Sequence, residues 1–223
     1  MQQQKSKKIL LYIFLFLIIG SINNKNFDDL EFTKIKEISV SGLDDQNNYK
    51  MKDNLDFLKI ENLFFLNKNK IIEKIDSNNL IEKYSVFKKY PSTVDVKIDK
   101  TNFLAQFKKG NEIFFLCSNG KIIKTIVYKQ DIPFIFGNFK NENFFQLKKA
   151  IDNSNFDYQK IKNLFFFTSG RWDIEINDGL LIKLPKNNLE KKFNLLINFL
   201  DETKDEKINK IDLRQHNQII ING

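Results

Sequence analysis

"SVFKKYPSTVDVKIDK", residues 85–100, decides the fold of the first half of the chain. With the residues just before it, it reads as two strands, "LIEKYSVFKKYP" and "STVDVKID", joined across Pro91. Upstream, "IKEISVSGL" (35–43) alternates apolar and polar residues and ends at Gly42, a third strand. Between them, "NNYKMKDNLDFL" puts Met51, Leu55 and Leu58 at helical spacing. "NKNKIIEKI" repeats that pattern with Ile71, Ile72 and Ile75, and Asn69 is its expected cap. The predicted order over 35–100 is strand, helix, helix, strand, strand.

A second block, 101–223, reads as a larger, mainly antiparallel β domain with a packed helix. "LAQFKK", "EIFFLCS" and "KIIKTIV" are strand-like; Asn111 breaks the first pair and Asn119-Gly120 turns the second. "IPFIFGN" follows, and Phe145, Leu147 and Ile151 suggest a helix over 141–152. In "IKNLFFFTSGRWDIEINDGLLIKLP", Trp172, Ile174 and Ile176 alternate with Arg171, Asp173 and Glu175, which predicts one dry and one wet face. Leu189, Phe193, Leu196, Ile197 and Leu200 mark the clearest helix, with Asn187 or Asn188 expected to cap it. The closing stretch, "KIDLRQHNQIIING" (210–223), ends on strand-forming residues.

Composition narrows the function classes. Of 223 residues, 42% are hydrophobic and 29% charged, enough to bury a core. The net charge of +8 comes almost wholly from lysines interleaved with Asp and Glu, with no arginine cluster or stacking motif. That is a solvated surface rather than a nucleic-acid interface, and an exported polyanion binder is the weaker alternative. The two arginines, Arg171 and Arg214, stand out in a chain that otherwise uses lysine. Cys117 and His216 are single, so a Cys–His dyad or metal cluster lacks material, and no cofactor is expected. No phosphate-loop or nucleophile-elbow motif occurs, and the acidic residues of 171–176 fit a solvated strand face better than an acid–base pair.

The start of the chain carries a membrane signal. Lys5, Lys7 and Lys8 precede an apolar run, 9–22, whose expected anchor residues are Ile9, Leu10, Leu11, Tyr12, Ile13, Phe14, Leu15, Phe16, Leu17, Ile18 and Ile19. The run is short for a spanning helix and fits the core of a cleaved signal peptide, but no small-residue cleavage site follows. The reading favoured is a retained single-pass anchor: 1–8 cytoplasmic, 9–22 transmembrane, 23–34 a tether, and the remainder exported. A buried core helix is disfavoured, because the run is apolar on every face.

These residues resemble a known family. "IKEISVSGL", with Val40 and Gly42, looks like the first strand of a POTRA domain. The strand pair around Tyr90, Pro91 and Thr93 is similar to that family's V-x-K-x-Y-P-x-T pattern. "IPFIFGN", "RWDIEINDGLLIKLP" and "KINKIDLRQHNQIIING" look like successive pieces of the bacterial cell-division family FtsQ, also called DivIB. The resemblance implies a non-enzymatic, single-pass inner-membrane scaffold at the division septum, with a POTRA domain (35–100, β-α-α-β-β) and a β domain (101–223). It implies small bitopic coiled-coil partners of the FtsB/FtsL type held by the β domain, and other division proteins met through the POTRA domain. A POTRA-bearing secretion or outer-membrane assembly accessory is the alternative, although the chain has no room for a membrane barrel.

The tail is the expected contact. An edge strand exposes unpaired backbone groups that proteins usually blunt with charge or proline, and 217–222 carries neither. A partner segment can add there as a further strand. The expected partner-binding residues are Arg214, Gln215, Asn217, Ile219, Ile220 and Ile221, with Arg214 clamping a partner carboxylate. The competing reading packs the isoleucines inward on the 189–200 helix.

Overall fold

A computed structural model describes residues 2–21, 34–126, 128–203, 208–216 and 218–222; of 2–7 and 19–21 only the helical backbone is described. Two compact units divide the chain. The first holds 1–72 and 85–97, the second 73–84 and 98–223.

Helix α1 (Gln2–Ser21) opens the chain. Its described side chains, Lys8 to Ile18, are all exposed, Phe16 at 78% and Leu10 at 67%. Among the described residues no helix is long and apolar enough to cross a membrane. The expected spanning helix is therefore not met in that form. The described apolar side chains, Ile9 to Ile18, cover about 15 Å of axis, against a hydrocarbon core of about 30 Å. Ile22, the side chain of Ile19 and the tether before Lys34 lie outside the described residues.

The three-stranded sheet has the order β1-β3-β2, from β1 (Glu37–Ser41), β2 (Ile81–Lys89) and β3 (Thr93–Lys100). β1 runs parallel to β3, with Ile38 beside Val94 and Val40 beside Val96. The parallel pairing follows from the intervening helices, α2 (Asp45–Asn54) and α3 (Lys68–Asp76), which supply the crossover. The Asp44 carboxylate caps α2 by accepting from the Asn47 backbone N–H. Asn69 does not cap α3. It lies inside the helix, and its own N–H donates to Asn67 Oδ1 one residue ahead of the first turn. Ile38, Met51, Leu55, Leu58, Leu63, Ile71 and Val94 are buried.

The second sheet has nine strands in the order β12-β11-β10-β9-β8-β7-β4-β5-β6. They are β4 (Phe103–Lys109), β5 (Glu112–Cys117), β6 (Ile122–Thr125), β7 (Phe134–Phe136), β8 (Ile161–Phe166), β9 (Trp172–Ile176), β10 (Leu181–Lys183), β11 (Lys210–Asp212) and β12 (Ile220–Asn222). The sheet is mixed. β4–β7, β7–β8 and β10–β11 are parallel, and the other neighbours are antiparallel. Two of the parallel pairs flank a helix in the chain: α4 (Asn141–Asp152) between β7 and β8, and α5 (Leu189–Glu202) between β10 and β11. Cross-strand register lines up Ile211, Ile182, Ile174, Leu164, Ile135 and Phe107. Phe144, Leu147 and Ile151 of α4 join this row in one core with Phe193 and Leu196 of α5. Each of these large side chains contributes about 1.5–3 kcal/mol when removed from water.

Two sequence expectations need correction here. Asn188 precedes α5 in the left-handed region (φ 61), but its side chain makes no capping bond. The face of β9 that carries Asp173 is not wet, because Asp173 is only 5% exposed. β9 lies in the interior of the sheet, with strands on both sides, and charged neighbours close over Asp173.

Candidate partner-binding edge

The tail places β12 at one end of the nine-stranded sheet. It pairs antiparallel with β11 through Asp212–Ile220, Ile211–Ile221 and Lys210–Asn222. Among the described residues its other side has no strand beside it. The alternation of the strand sorts its side chains onto two faces. Ile221 stands beside Ile211 and so ends the apolar core row among the described residues, 42% exposed. Ile220, 45% exposed, stands beside Asp212 on the opposite face. Ile219 is half-buried against the core, as the inward reading requires of that one residue. Asn217 lies outside the described residues.

Behind Ile220 runs a line of charge. Register puts Asp212, Lys183 and Asp173 side by side on β11, β10 and β9. Asp212 is gripped by Arg214: Nε donates at 2.9 and 3.0 Å and Nη2 at 2.5 Å, while the Arg214 backbone N–H donates to Oδ1 at 3.0 Å. The side-chain hydrogen bond from Arg214 holds the Asp212 carboxyl below its ordinary value, against the opposing effect of burial. Asp212 in turn raises Arg214. Asp173 goes the other way: burial raises it, and the attraction of Arg171, Lys183 and Arg214 pulls back. Arg171 Nε is 3.9 Å from Asp173 Oδ1, an ion-pair distance without a hydrogen bond, and both atoms are buried and unbonded. The Arg171 guanidinium stacks 4.4 Å over the Phe167 ring.

Arg214 therefore differs from its expected state. Its Nε–Nη2 edge is taken by Asp212, so a partner carboxylate has only the Nη1 side to meet. Gln215 contributes through its backbone, where its carbonyl accepts from Lys192 Nζ on α5 at 2.7 Å. Sequence reading missed Asp212 and Lys183. The available signal was Asp-x-Arg in "IDLR", which puts a carboxylate and a guanidinium on one face of an extended segment.

The other singled-out residues lie in the first unit. Val40 pairs with Val96, Thr93 opens β3 opposite Glu37, and Gly42 takes φ 112 as the chain leaves β1. Tyr90 and Pro91 form the β2–β3 turn through a cis bond.

Chemistry of other kinds finds little support. Cys117 is buried and its thiol is pushed up to about 11, so it stays protonated at neutral pH. Among the described residues no cluster of metal-ligating side chains occurs. A 650 Å³ cleft beside α5 is lined by Phe156, Ile176, Leu180, Ile197 and Leu200, with amide and acidic side chains and Lys160.

Comparison with known proteins bears on both units. Residues 33–100 match the family model "POTRA domain, FtsQ-type" and 105–214 match "Cell division protein FtsQ/DivIB, C-terminal". The second match stops at Arg214, short of β12. The chain is 26% identical over 234 residues to cell division protein DivIB of Clostridium botulinum (strain Hall), covering 95% of this chain and 89% of that protein. It is 24% identical over 188 residues to cell division protein DivIB of Bacillus subtilis, covering 81% and 71%. It is 22% identical over 191 residues to cell division protein FtsQ of Rickettsia bellii, covering 84% and 72%.

Proposed function

The chain belongs to the FtsQ/DivIB family of cell-division proteins, and from that premise we propose that it is a membrane-tethered adaptor that captures a partner strand on β12. The family's members are non-enzymatic proteins of the division septum. The partner class is the small bitopic coiled-coil type, FtsB/FtsL-like, and the POTRA unit meets other division proteins. The domain division is 1–8, 9–22, 23–34, 35–100 and 101–223.

One observation carries the reading: a strand at the end of the sheet that, among the described residues, has no neighbour on one side and no charge or proline of its own to guard it. An added strand gains backbone hydrogen bonds along that side. On the core-row face it meets Ile221, which favours an apolar partner residue. On the other face it meets Ile220, with the free Nη1 side of Arg214 two residues beyond Asp212, which favours a carboxylate.

Anchoring is assigned to α1. Ten successive exposed apolar side chains are costly in water and comfortable in lipid. Their short span is accommodated by lysine stems that reach to the headgroups and by local thinning of the bilayer.

The test is capture of the coiled-coil partner by full-length protein carrying Ile220→Pro or Ile220→Lys. Capture is expected to be lost while the thermal midpoint stays near that of the parent. Capture at parental strength by both variants overturns the edge-strand reading.

A further inference from the structure

The first unit exposes an apolar loop beside the point where the chain enters it. A short 3-10 turn, Asp56–Ile60, leads into residues 61–67. Leu58, Leu63 and Leu66 are buried and pin this loop down. Between them the large side chains turn outward: Ile60 is 85% exposed, Phe65 84% and Phe64 55%. Tyr90, 60% exposed, lies against Phe64 with ring centroids 5.2 Å apart. Lys88 Nζ donates to the Phe64 carbonyl at 3.0 Å.

Lysine surrounds the patch. Lys59, Lys68 and Lys70 lie in or beside the loop, and Lys88 and Lys89 lead into Tyr90. The nearby carboxylates of Asp56 and Glu61 each hold one lysine, Lys59 and Lys70, and Asp95 holds Lys89. Lys34 bridges to Asn62, and the Ile35 N–H donates to the Glu61 carbonyl at 3.4 Å. The chain coming from α1 therefore joins the unit at this loop. Residues 22–33 can reach no farther than about 40 Å when fully extended.

We propose that this loop docks on the surface of an anionic lipid bilayer, with Ile60, Phe64, Phe65 and Tyr90 at the acyl boundary and Lys68 and Lys88 on lipid phosphates. The inference rests on the reading of α1 as the membrane anchor. Four side chains are too few for a stable protein interface, which needs about 1,200 Å² or more. They suffice to orient a unit that is already tethered. Lysine is also suited to the role, since its stem lies along apolar surface while its ammonium reaches the phosphates.

The experiment uses full-length protein carrying Phe65→Cys with an environment-sensitive fluorophore; buried Cys117 stays unlabelled. Flotation and quenching by nitroxide lipid are read on phosphatidylcholine vesicles with and without phosphatidylglycerol. Expected are flotation on both and at least about twofold more quenching on the anionic vesicles, lost when Lys68→Glu and Lys88→Glu are added. Flotation without quenching overturns the docking and leaves the anchor standing. Flotation on anionic vesicles alone, with quenching, removes the anchor and overturns the docking as an orientation of a tethered unit. No flotation overturns both. Equal quenching on both vesicle types overturns the anionic-lipid assignment, and shielding of the label only when a division protein is added assigns the loop to a protein partner.

Discussion

The two ends of the nine-stranded sheet are built to opposite rules. At β6, the Asn79 side chain donates to the Ile122 carbonyl at 3.3 Å. Lys121 reaches the carbonyls of Asp76 and Asn78, and Lys124 pairs with Glu112 at 2.5 Å. That edge is covered and charged, which are two of the ways proteins stop strands from adding. At β12, Ile220, Ile221 and Asn222 offer no charge; of their charged cross-strand neighbours, Asp212 is already in the grip of Arg214 and Lys210 stands beside Asn222. One sheet thus carries a closed edge and an open one. On the proposed reading, the open edge is where a partner strand pairs, since the same chain shows how an edge is closed.

The harshest way to break the contrast is to melt the sheet under both edges. Phe193 is fully buried in the core they share, and Phe193→Ala is expected to cost about 3–5 kcal/mol in urea unfolding. Partner capture should fall with it. Gly137→Ala is expected to be nearly as damaging, at about 2–3 kcal/mol. Gly137 has φ 101, and an added Cβ would lie 2.1 Å from the Phe166 carbonyl oxygen between β7 and β8.

A charge swap sharpens the contrast without unfolding anything. Ile220→Lys closes β12 and Lys124→Ile opens β6, each within about 0.5 kcal/mol of the parent in stability. The first is expected to stop partner capture. The second is expected to leave capture intact and to increase self-association in analytical ultracentrifugation. The reverse pattern would mean that charge does not distinguish the two edges.

Acid titration probes the latch behind β12. The folded-state value of Asp212 lies below its ordinary one, so its contribution is complete above the ordinary carboxylate value and is lost as pH falls through the lowered value. Asp212→Asn should flatten that acid slope and cost about 1 kcal/mol at pH 7, because Arg214 is partly exposed and solvent screens the pair. Asp173 has the opposite sign: with its value raised, stability declines as pH climbs from the ordinary value through the raised one. The smallest effect is expected from Asn79→Ala, about 0.5 kcal/mol for one hydrogen bond at a carbonyl that water can reach.

Much of this architecture was legible in the residues because it rests on local periodicity. Met51 on α2 with Leu55 at its C-terminal cap, the Leu189-to-Leu200 stripe of α5 and the alternation of β9 each announce their element. What periodicity does not report is what lies above a strand face. Asp173 looked wet because its neighbours alternate, but β8 and β10 flank it and Arg171, Lys183 and Arg214 draw in around it. The helix starts failed for a related reason: Asn188 serves by its left-handed backbone rather than its side chain, and Asn67 rather than Asn69 accepts the bond at α3. The open edge was legible from the lack of charge in 217–222. The Asp212–Arg214 grip was not, since two residues that each suit an outside partner had found one another.

The nested placement of β12 has a consequence for timing. Among the described residues it pairs only with β11, and β11 is joined to β10 in the chain through α5. The open side is therefore expected to be presented only once β10, α5 and β11 are in place. On the proposed reading, a visiting strand arriving early would find no template, so its engagement would double as an inspection of whether the host has finished folding.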